Sequence, residues 1–163
     1  MMSDVEGVRS VLVRTAHVNE SLAIASILRQ AFIEYEHLYT PSAFAATTPT
    51  SAQIQERWNE GPVWAAVQNE SVVGTVAAVA KPNGLYIRSM AVLPFARGRG
   101  ITVQLLEVVE SFAVSEHHGF LFLSTTPFLT SAIRLYERFG FQRSKEDPQD
   151  LFGTPLFTMI KQL

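Results

Sequence analysis

Residues 97–100, which read RGRG, separate a predicted strand from a predicted helix. Residues 85–93 form a mostly apolar run that ends at Pro94, and from Ile101 onward apolar residues recur at helical spacing. The first N–H groups of a helix lack intrahelical partners and carry partial positive charge, so this end of a helix favours an anion. Glycine allows a phosphate to approach the backbone closely, and arginine adds charge with matching geometry. The segment therefore predicts a phosphate-binding loop.

A simpler interpretation stays open, in which the two glycines only close a tight turn and both arginines are solvated. The charge pattern favours the anion, because residues 71–106 contain no Asp or Glu and the sequence predicts no competing acid near the loop. A dinucleotide fingerprint would need a third glycine at Val103, and a Walker loop would need Gly-Lys-Ser/Thr, which is absent from the sequence. The basic residues of this range are Lys81, Arg88, Arg97 and Arg99.

A second segment with chemical potential is residues 132–141, which read AIRLYERFGF. Apolar spacing predicts a helix over residues 130–139 that buries Tyr136 and ends at Gly140 as a C-terminal cap. From its sequence context alone, a tyrosine on such a stripe is more often a packing residue. Its phenol, with a reference pKa near ~10, is also protonated at neutral pH and can donate a proton.

Taken together, the two segments resemble the GNAT superfamily of acyl-CoA-dependent N-acyltransferases. Residues 97–102 are similar to its signature R/Q-x-x-G-x-G/A, with Thr102 in place of the last small residue, and residues 132–141 are similar to its A-x-x-L-Y-E-K/R-x-G-F segment. The resemblance implies acetyl-CoA as cosubstrate, with its pantetheine arm along the strand and its pyrophosphate on the loop. The residues implied to bind it are Met90, Ala91, Val92, Arg97, Gly98, Arg99, Gly100, Ile101 and Thr102.

The implied reaction moves an acetyl group from acetyl-CoA to the amine of a small molecule or peptide. Tyr136 stands at the position of the family's general acid, whereas Leu129 stands where the family often has Asn. Without Cys or a Gly-x-Ser-x-Gly elbow, direct attack in a ternary complex is favoured over a covalent intermediate. The general base is left open among several residues chosen by location, namely Glu34, Glu36, His37, Glu56, Tyr86 and Arg88.

Two other functions remain as alternatives. One is an acyl-CoA-binding sensor or structural module without turnover, in which Thr102 and Leu129 mark a decayed site. The other is an acetyltransferase that modifies a protein N-terminus or lysine. The segment expected to shape the acceptor pocket, residues 34–59, has no pattern that names the acceptor.

The 163 residues predict one domain, residues 1–163, large enough to bury a core. The fold class is α+β, a mixed and mostly antiparallel sheet of about seven strands flanked by about four helices, as in a single-domain GNAT fold. An apolar stripe predicts a first helix with Asn19 as its N-cap. Residues 38–49 and 145–150 are expected to be loops, and Thr50 with Gln53 predicts a capping box for the second helix.

Composition limits the kinds of partner and the cellular location that the sequence predicts. The absence of Cys, of a signal-like N-terminus and of long apolar runs predicts a cytoplasmic protein without a membrane anchor. Thirteen basic residues against 15 acidic ones give no broad basic field, so nucleic acid is not expected as a partner. No metal site is expected, because Cys is absent and the His residues do not show the spacing H-x-x-x-H. A homodimer is left open.

Overall fold

The computed structural model describes residues 10–82 and 84–163. The proposed leader-free N-terminus, residues 1–9, therefore lies outside the described residues. The strands are β1 (Leu12–Thr15), β2 (Val63–Gln68), β3 (Ser71–Ala80), β4 (Gly84–Val92), β5 (Phe120–Thr125), β6 (Gln142–Arg143), β7 (Gln149–Leu151) and β8 (Thr154–Gln162). The helices are α1 (Ser21–Phe32), α2 (Pro41–Thr47), α3 (Ser51–Glu56), α4 (Ile101–Ser115) and α5 (Thr130–Phe139).

These strands form one mixed sheet in the order β1-β2-β3-β4-β5-β8-β6, with β7 paired to β8. The predicted antiparallel meander is confirmed as β2, β3 and β4. The parallel pairing of β4 with β5 is also confirmed, with Leu85 opposite Leu121. Helix α4 connects these two strands, as a parallel crossover requires. The mixed α+β class is therefore confirmed, with eight strands and five α-helices in residues 10–82 and 84–163.

The core lies where α1 and α4 pack on β3 and β4. Leu28 of α1, Leu105 of α4 and Leu85 of β4 have no exposed side-chain area. This burial fixes the rotation of both helices about their axes, because turning either one would expose its apolar stripe. None of the helices in the described ranges is long and apolar enough to cross a bilayer.

Two predicted loops contain regular structure. Helix α2 lies inside the expected loop 38–49, where the Thr40 hydroxyl accepts from Ala43 N at 3.2 Å and Pro41 occupies the first turn. Strand β7 lies at the end of the expected loop 145–150 and forms a hairpin with β8. The hairpin turn places Phe152 and Gly153 at φ values of 48° and 95°. Thr40 and Pro41 were therefore a helix start that the loop prediction overlooked.

The predictions of helix starts and of helix burial were only partly confirmed. The capping box of Thr50 and Gln53 is confirmed, with donor–acceptor distances of 3.2 and 2.9 Å. Asn19 as N-cap was wrong, because it lies inside a 3₁₀ turn, Val18–Glu20, that precedes α1. There Glu20 caps the turn, accepting from His17 N at 2.8 Å. The bounds of α5 and its Gly140 cap are confirmed, but its apolar face is only half buried.

Candidate active site

Strand β4 carries a bulge at its centre. Thr75 of β3 pairs with Ala91, but Ala77 pairs with Arg88, so β4 has one more residue than β3 between these pairs. Ser89 within this stretch adopts a φ of 53°, which a non-glycine residue rarely adopts. A bulge bends a strand and redirects its side chains. Here it breaks the regular course of β4 shortly before the strand reaches Met90.

Strands β4 and β5 separate after Tyr86, just before the bulge. Their pairing is limited to Gly84–Tyr86 against Phe120–Phe122, although β5 continues to Thr125 along β8. Within the described ranges no strand pairs with the β5-facing edge of β4 after Tyr86. Unpaired strand edges present backbone N–H and C=O groups that can bind an extended ligand as an added strand.

A cleft of about 310 Å³ opens between the two diverging strands. Both strands contribute to its wall, α5 contributes Tyr136, and the segments after α1 contribute Tyr39 and Thr47. No Asp, Glu, His or Lys is among the described residues that line it. Its polar lining consists of hydroxyl groups and two arginines, from Tyr39, Thr47, Arg57, Tyr86, Arg88, Ser89, Ser124, Thr125, Thr126 and Tyr136.

Tyr136 is held by aromatic packing rather than by hydrogen bonds. Its ring meets Phe141 edge-on, with centroids 6.0 Å apart, and Phe141 is buried. Its hydroxyl makes no hydrogen bond to another described side chain, which leaves it available to a ligand in the cleft. Burial, with a smaller effect of Tyr39, raises the pKa of Tyr136 to about 12. The phenol is therefore protonated at any physiological pH.

A second hydroxyl group in the cleft is also unsatisfied. Thr126 Oγ1 is buried and has no partner at normal hydrogen-bond distance among the described residues, although it lies near enough to Tyr39 to influence the pKa of that phenol. Burial nonetheless raises the pKa of Tyr39. A buried hydroxyl without a partner costs free energy, so this atom marks a place where a ligand or water would be stabilised.

The predicted phosphate loop follows the end of β4. A 3₁₀ turn, Pro94–Ala96, leads into Gly98 and Gly100, whose φ values of 77° and 78° favour glycine. A Cβ atom at either glycine would meet no atom within 4 Å, so both face open space. Gly100 is the N-cap of α4 and supplies no side-chain cap, which leaves the first N–H groups of that helix without a side-chain partner.

Both loop arginines are engaged. Arg97 Nη1 lies 2.6 Å from Glu34 Oε1, and Arg97 Nη2 donates to the Ala31 carbonyl at 2.9 Å. Arg99 Nη1 donates to Gln68 Oε1 at 3.1 Å. The expectation of no competing acid near the loop was therefore wrong, because α1 ends beside it and brings Glu34 from 63 positions earlier in the chain. Arg99, by contrast, faces a neutral partner.

The candidates for general base are only partly brought together. Tyr86 and Arg88 line the cleft, whereas Glu34, Glu36, His37 and Glu56 do not. Arg88 is paired with Glu60, which follows α3. Sequence reasoning missed Arg57, Ser124, Thr125 and Thr126, because no local pattern shows that their segments face one cleft. Only the dense run of hydroxyl groups at residues 124–126, at the end of an apolar strand, could have indicated the last three.

The family relationship follows from comparison with known proteins. A family model described as the acetyltransferase (GNAT) family matches residues 28–141, so the chain belongs to that family. The chain is 30% identical to the human N-acetylaspartate synthetase over 135 residues, which cover 77% of this chain and 45% of that protein. It is 26% identical to the uncharacterized N-acetyltransferase YjgM of Escherichia coli over 140 residues, covering 82% and 83% of the two chains. The chain thus spans less than half the length of the human relative.

Solved structures show the same fold. The PaiA N-acetyltransferase of Thermoplasma acidophilum, in complex with coenzyme A, superposes with a TM-score of 0.79 at 14% identity, covering 94% of this chain and 99% of that one. A GNAT family acetyltransferase of Elizabethkingia anophelis with acetyl-CoA bound gives a TM-score of 0.70 at 17% identity, covering 94% and 98%. These neighbours confirm the predicted GNAT fold.

Proposed function

We propose that this chain transfers an acetyl group from acetyl-CoA to the amine of a small molecule or peptide, by direct attack in a ternary complex. The observation that carries the proposal is the open edge of β4, which runs from the cleft holding Tyr136 to the glycine loop at α4. One continuous surface thus offers a proton donor at one end and helix N–H groups at the other. The proposal treats residues 1–163 as a single domain, which stays a prediction.

The pantetheine arm would add to β4 as an extra strand. Leu93 N donates to Val73 O on β3 at 2.8 Å, so Leu93 faces β3. Neighbouring residues of a strand point their N–H groups to alternate sides, which directs the amide of Val92 to the open edge, and Met90 follows in the bulge of the same edge strand. Ala91 lies between them and is buried. Met90 and Val92 are therefore the proposed backbone partners of the arm.

The pyrophosphate would lie over Gly98 and Gly100, where a Cβ would otherwise occupy the open space. The first N–H groups of α4, from Ile101 and Thr102, supply donors and the positive end of the helix dipole. Arg99 adds a guanidinium that donates to the neutral Gln68 side chain, and Arg97 braces the loop against α1. This division of roles favours Arg99 as the principal charged ligand.

The chemistry then needs three protein functions. An edge N–H of β4 stabilises negative charge as it develops on the carbonyl oxygen of the thioester. The acceptor nitrogen forms the new C–N bond, the C–S bond breaks, and the Tyr136 hydroxyl gives its proton to the departing sulfur. A pKa of about 12 suits this role poorly in solution but keeps Tyr136 protonated until the thiolate forms beside it.

The acceptor amine must be neutral when it attacks, and no carboxylate or imidazole among the described residues lines the cleft to deprotonate it. Arg57, beside the paired Arg88 and Glu60, leaves one net positive charge that disfavours an ammonium by repulsion, which lowers the pKa of a bound amine. Bulk water can then accept the proton. The cleft thus supports catalysis without an assigned general base.

A thiol-release assay tests the proposal directly. Acetyl-CoA is supplied with a panel of amino acids, amino acid amides, polyamines and peptides, and released thiol and acetylated product are both quantified. Product formation with any acceptor supports the transferase. Tight CoA binding by calorimetry without product across the panel would support the binding module instead. Turnover only with peptides would favour the protein acetyltransferase.

A further inference from the structure

We propose, resting on the acetyl transfer inferred above, that the acceptor is an amine bearing a carboxylate, as in an amino acid, and that Arg57 and Arg88 bind this carboxylate. Both arginines line the cleft that contains Tyr136. Arg57 follows α3 as its C-cap and Arg88 precedes the bulge of β4, so two separate elements converge on one spot.

The charges of the cleft are unbalanced. Glu60 pairs with Arg88 and is about half exposed, and no acid among the described residues lines the cleft itself. The Arg57 guanidinium makes no hydrogen bond or ion pair to another described side chain, although Arg57 is half buried. The carboxylate of Glu60 therefore lies near two guanidinium groups, those of Arg57 and Arg88, which leaves one positive charge unbalanced beside the cleft.

The pKa of Arg57 agrees with one unbalanced positive charge at this place. Burial, and then the nearby charge of Arg88, lower the pKa of Arg57, while Glu60 and Tyr86 oppose the effect more weakly. A partly buried guanidinium next to a like charge is stabilised when an anion binds between them. A carboxylate suits the planar fork of arginine, with which it can form two parallel hydrogen bonds.

The position of the pair assigns it to the acceptor rather than to the cofactor. Arg88 lies on β4 before the bulge, whereas the glycine loop follows the end of β4, with Met90 and Val92 in between. A CoA arm that adds to β4 from the loop would meet Val92 and Met90 before Arg88. The buried Thr126 hydroxyl, which has no partner of normal geometry, offers a further donor in the same cleft.

The test compares each acceptor as the free acid and as the α-carboxamide, with kcat/KM expressed per neutral amine because the carboxamide lowers the pKa of the neighbouring amine. Alanine, leucine and glutamate are each supplied as the free acid and as the α-carboxamide, with spermidine and phosphoethanolamine as further acceptors. Wild type should favour a free acid over its amide by at least ~10-fold in kcat/KM, as expected for a charge-assisted hydrogen-bonded pair. Arg57→Gln should abolish this ratio, with CoA affinity unchanged, and Arg57→Lys should restore part of it.

Matched controls separate this inference from acetyl transfer itself. Arg29→Gln removes an exposed arginine of α1 outside the cleft and should leave the acid-to-amide ratio unchanged. Calorimetry with N-acetylalanine, N-acetylleucine, N-acetylglutamate and their amides, on protein holding CoA, measures carboxylate recognition without turnover. Preferential binding of the acids there, with no turnover anywhere, would support carboxylate binding by the two arginines and would reject acetyl transfer.

Several results would overturn the inference while leaving the transferase intact. Equal use of acids, amides and spermidine would show that the carboxylate is not recognised. An acid-to-amide ratio that is unchanged in Arg57→Gln, at unchanged thermal stability, would show that Arg57 does not bind the carboxylate. Loss of CoA affinity in Arg57→Gln would assign the arginines to the cofactor, and preference for phosphoethanolamine would replace the carboxylate by a phosphate. Absence of both turnover and acid-selective binding would reject both proposals.

Discussion

Arg97 and Glu34 form an ion pair at 2.6 Å, and this pair joins the glycine loop to the 3₁₀ segment that follows α1. Both side chains are more than two-fifths exposed, so the pair itself contributes little to stability. It does place a carboxylate beside a loop that is proposed to bind phosphate. Arg97 keeps its second bond, to the Ala31 carbonyl, whether or not Glu34 is charged.

Glu34→Gln is therefore expected to raise CoA affinity by roughly two- to fivefold at low salt, since removal of the acid frees the charge of Arg97. The gain should shrink as salt is added, because exposed charges are screened. Calorimetric titration with CoA measures this, and Glu36→Gln, which removes an exposed acid from the same 3₁₀ segment, Ile33–Leu38, is the control. A lower affinity for Glu34→Gln alone would show that the ion pair holds the loop in its binding conformation.

The pH dependence of turnover reports the protonation states proposed for the cleft. Because the pKa of Tyr136 is raised to about 12, its acid form persists and activity should not fall up to pH 10. On the other side, kcat should rise with pH as the bound amine loses its proton, with a midpoint below the pKa of the free amine. A decline between pH 8 and 10 that disappears in Tyr136→Phe would mean that Tyr136 ionises there and would contradict the burial argument.

Glu20 predicts a separate effect on stability. It accepts from both Arg14 nitrogens at 2.9 and 2.8 Å and from His17 N, and the bond from Arg14 is the main reason why its pKa falls to about 2. A lowered folded-state pKa stabilises the protein above the unfolded-state pKa, and this stabilisation is lost as the pH falls toward 2. Glu20→Gln should cost about 1 to 2 kcal/mol at pH 7, after allowance for solvent screening of Arg14.

Denaturant melts of Glu20→Gln and wild type, at pH 7 and at pH 3, measure this effect. The difference in unfolding free energy should narrow at the lower pH, where the wild-type carboxylate has lost part of its advantage. Glu107→Gln, an exposed change on α4, serves as the control. An undiminished difference at low pH would indicate that Gln fails for steric reasons and not through lost charge.

Much of the fold was accessible from the sequence, because its signals are local. The Gly140 cap and the apolar stripe before it gave the bounds of α5, and the helix crossover gave the parallel pairing of β4 with β5. Helix α2 was missed although Thr40 and Pro41 are a local start signal, and distant contacts also hold its first turn. Thr40 N donates to Thr154 Oγ1 at 3.0 Å, and the Thr40 hydroxyl donates to Phe152 O at 2.7 Å.

Only part of the candidate site could be predicted from the sequence. The glycine loop and Tyr136 occur in recognisable segments, so their types and spacing were sufficient to single them out. The bulge at Ser89 could not be predicted, because a serine, unlike a glycine, does not indicate a positive φ. Arg57, Arg88 and Thr126 meet only through the tertiary fold, and the approach of Glu34 to Arg97 could not be read from a pattern confined to one segment.

The claim that acetyl transfer occurs beside Tyr136 is tested by removing its hydroxyl. Tyr136→Phe keeps the ring that packs on Phe141, so thermal stability and CoA affinity should be retained. Tyr136→Ala, in contrast, removes the ring and should lower stability, by up to about 3 kcal/mol for this half-buried site. The two variants together separate the chemical role from the packing role.

The decisive measurement is the single-turnover rate of thiol release by Tyr136→Phe, with acetyl-CoA bound and acceptor saturating, because this isolates chemistry from product release. A positioned proton donor is worth ~10²- to 10⁴-fold in rate, so the variant should be at least ~100-fold slower than wild type. A rate within about threefold of wild type, at equal CoA affinity and thermal stability, would contradict the general-acid role of Tyr136.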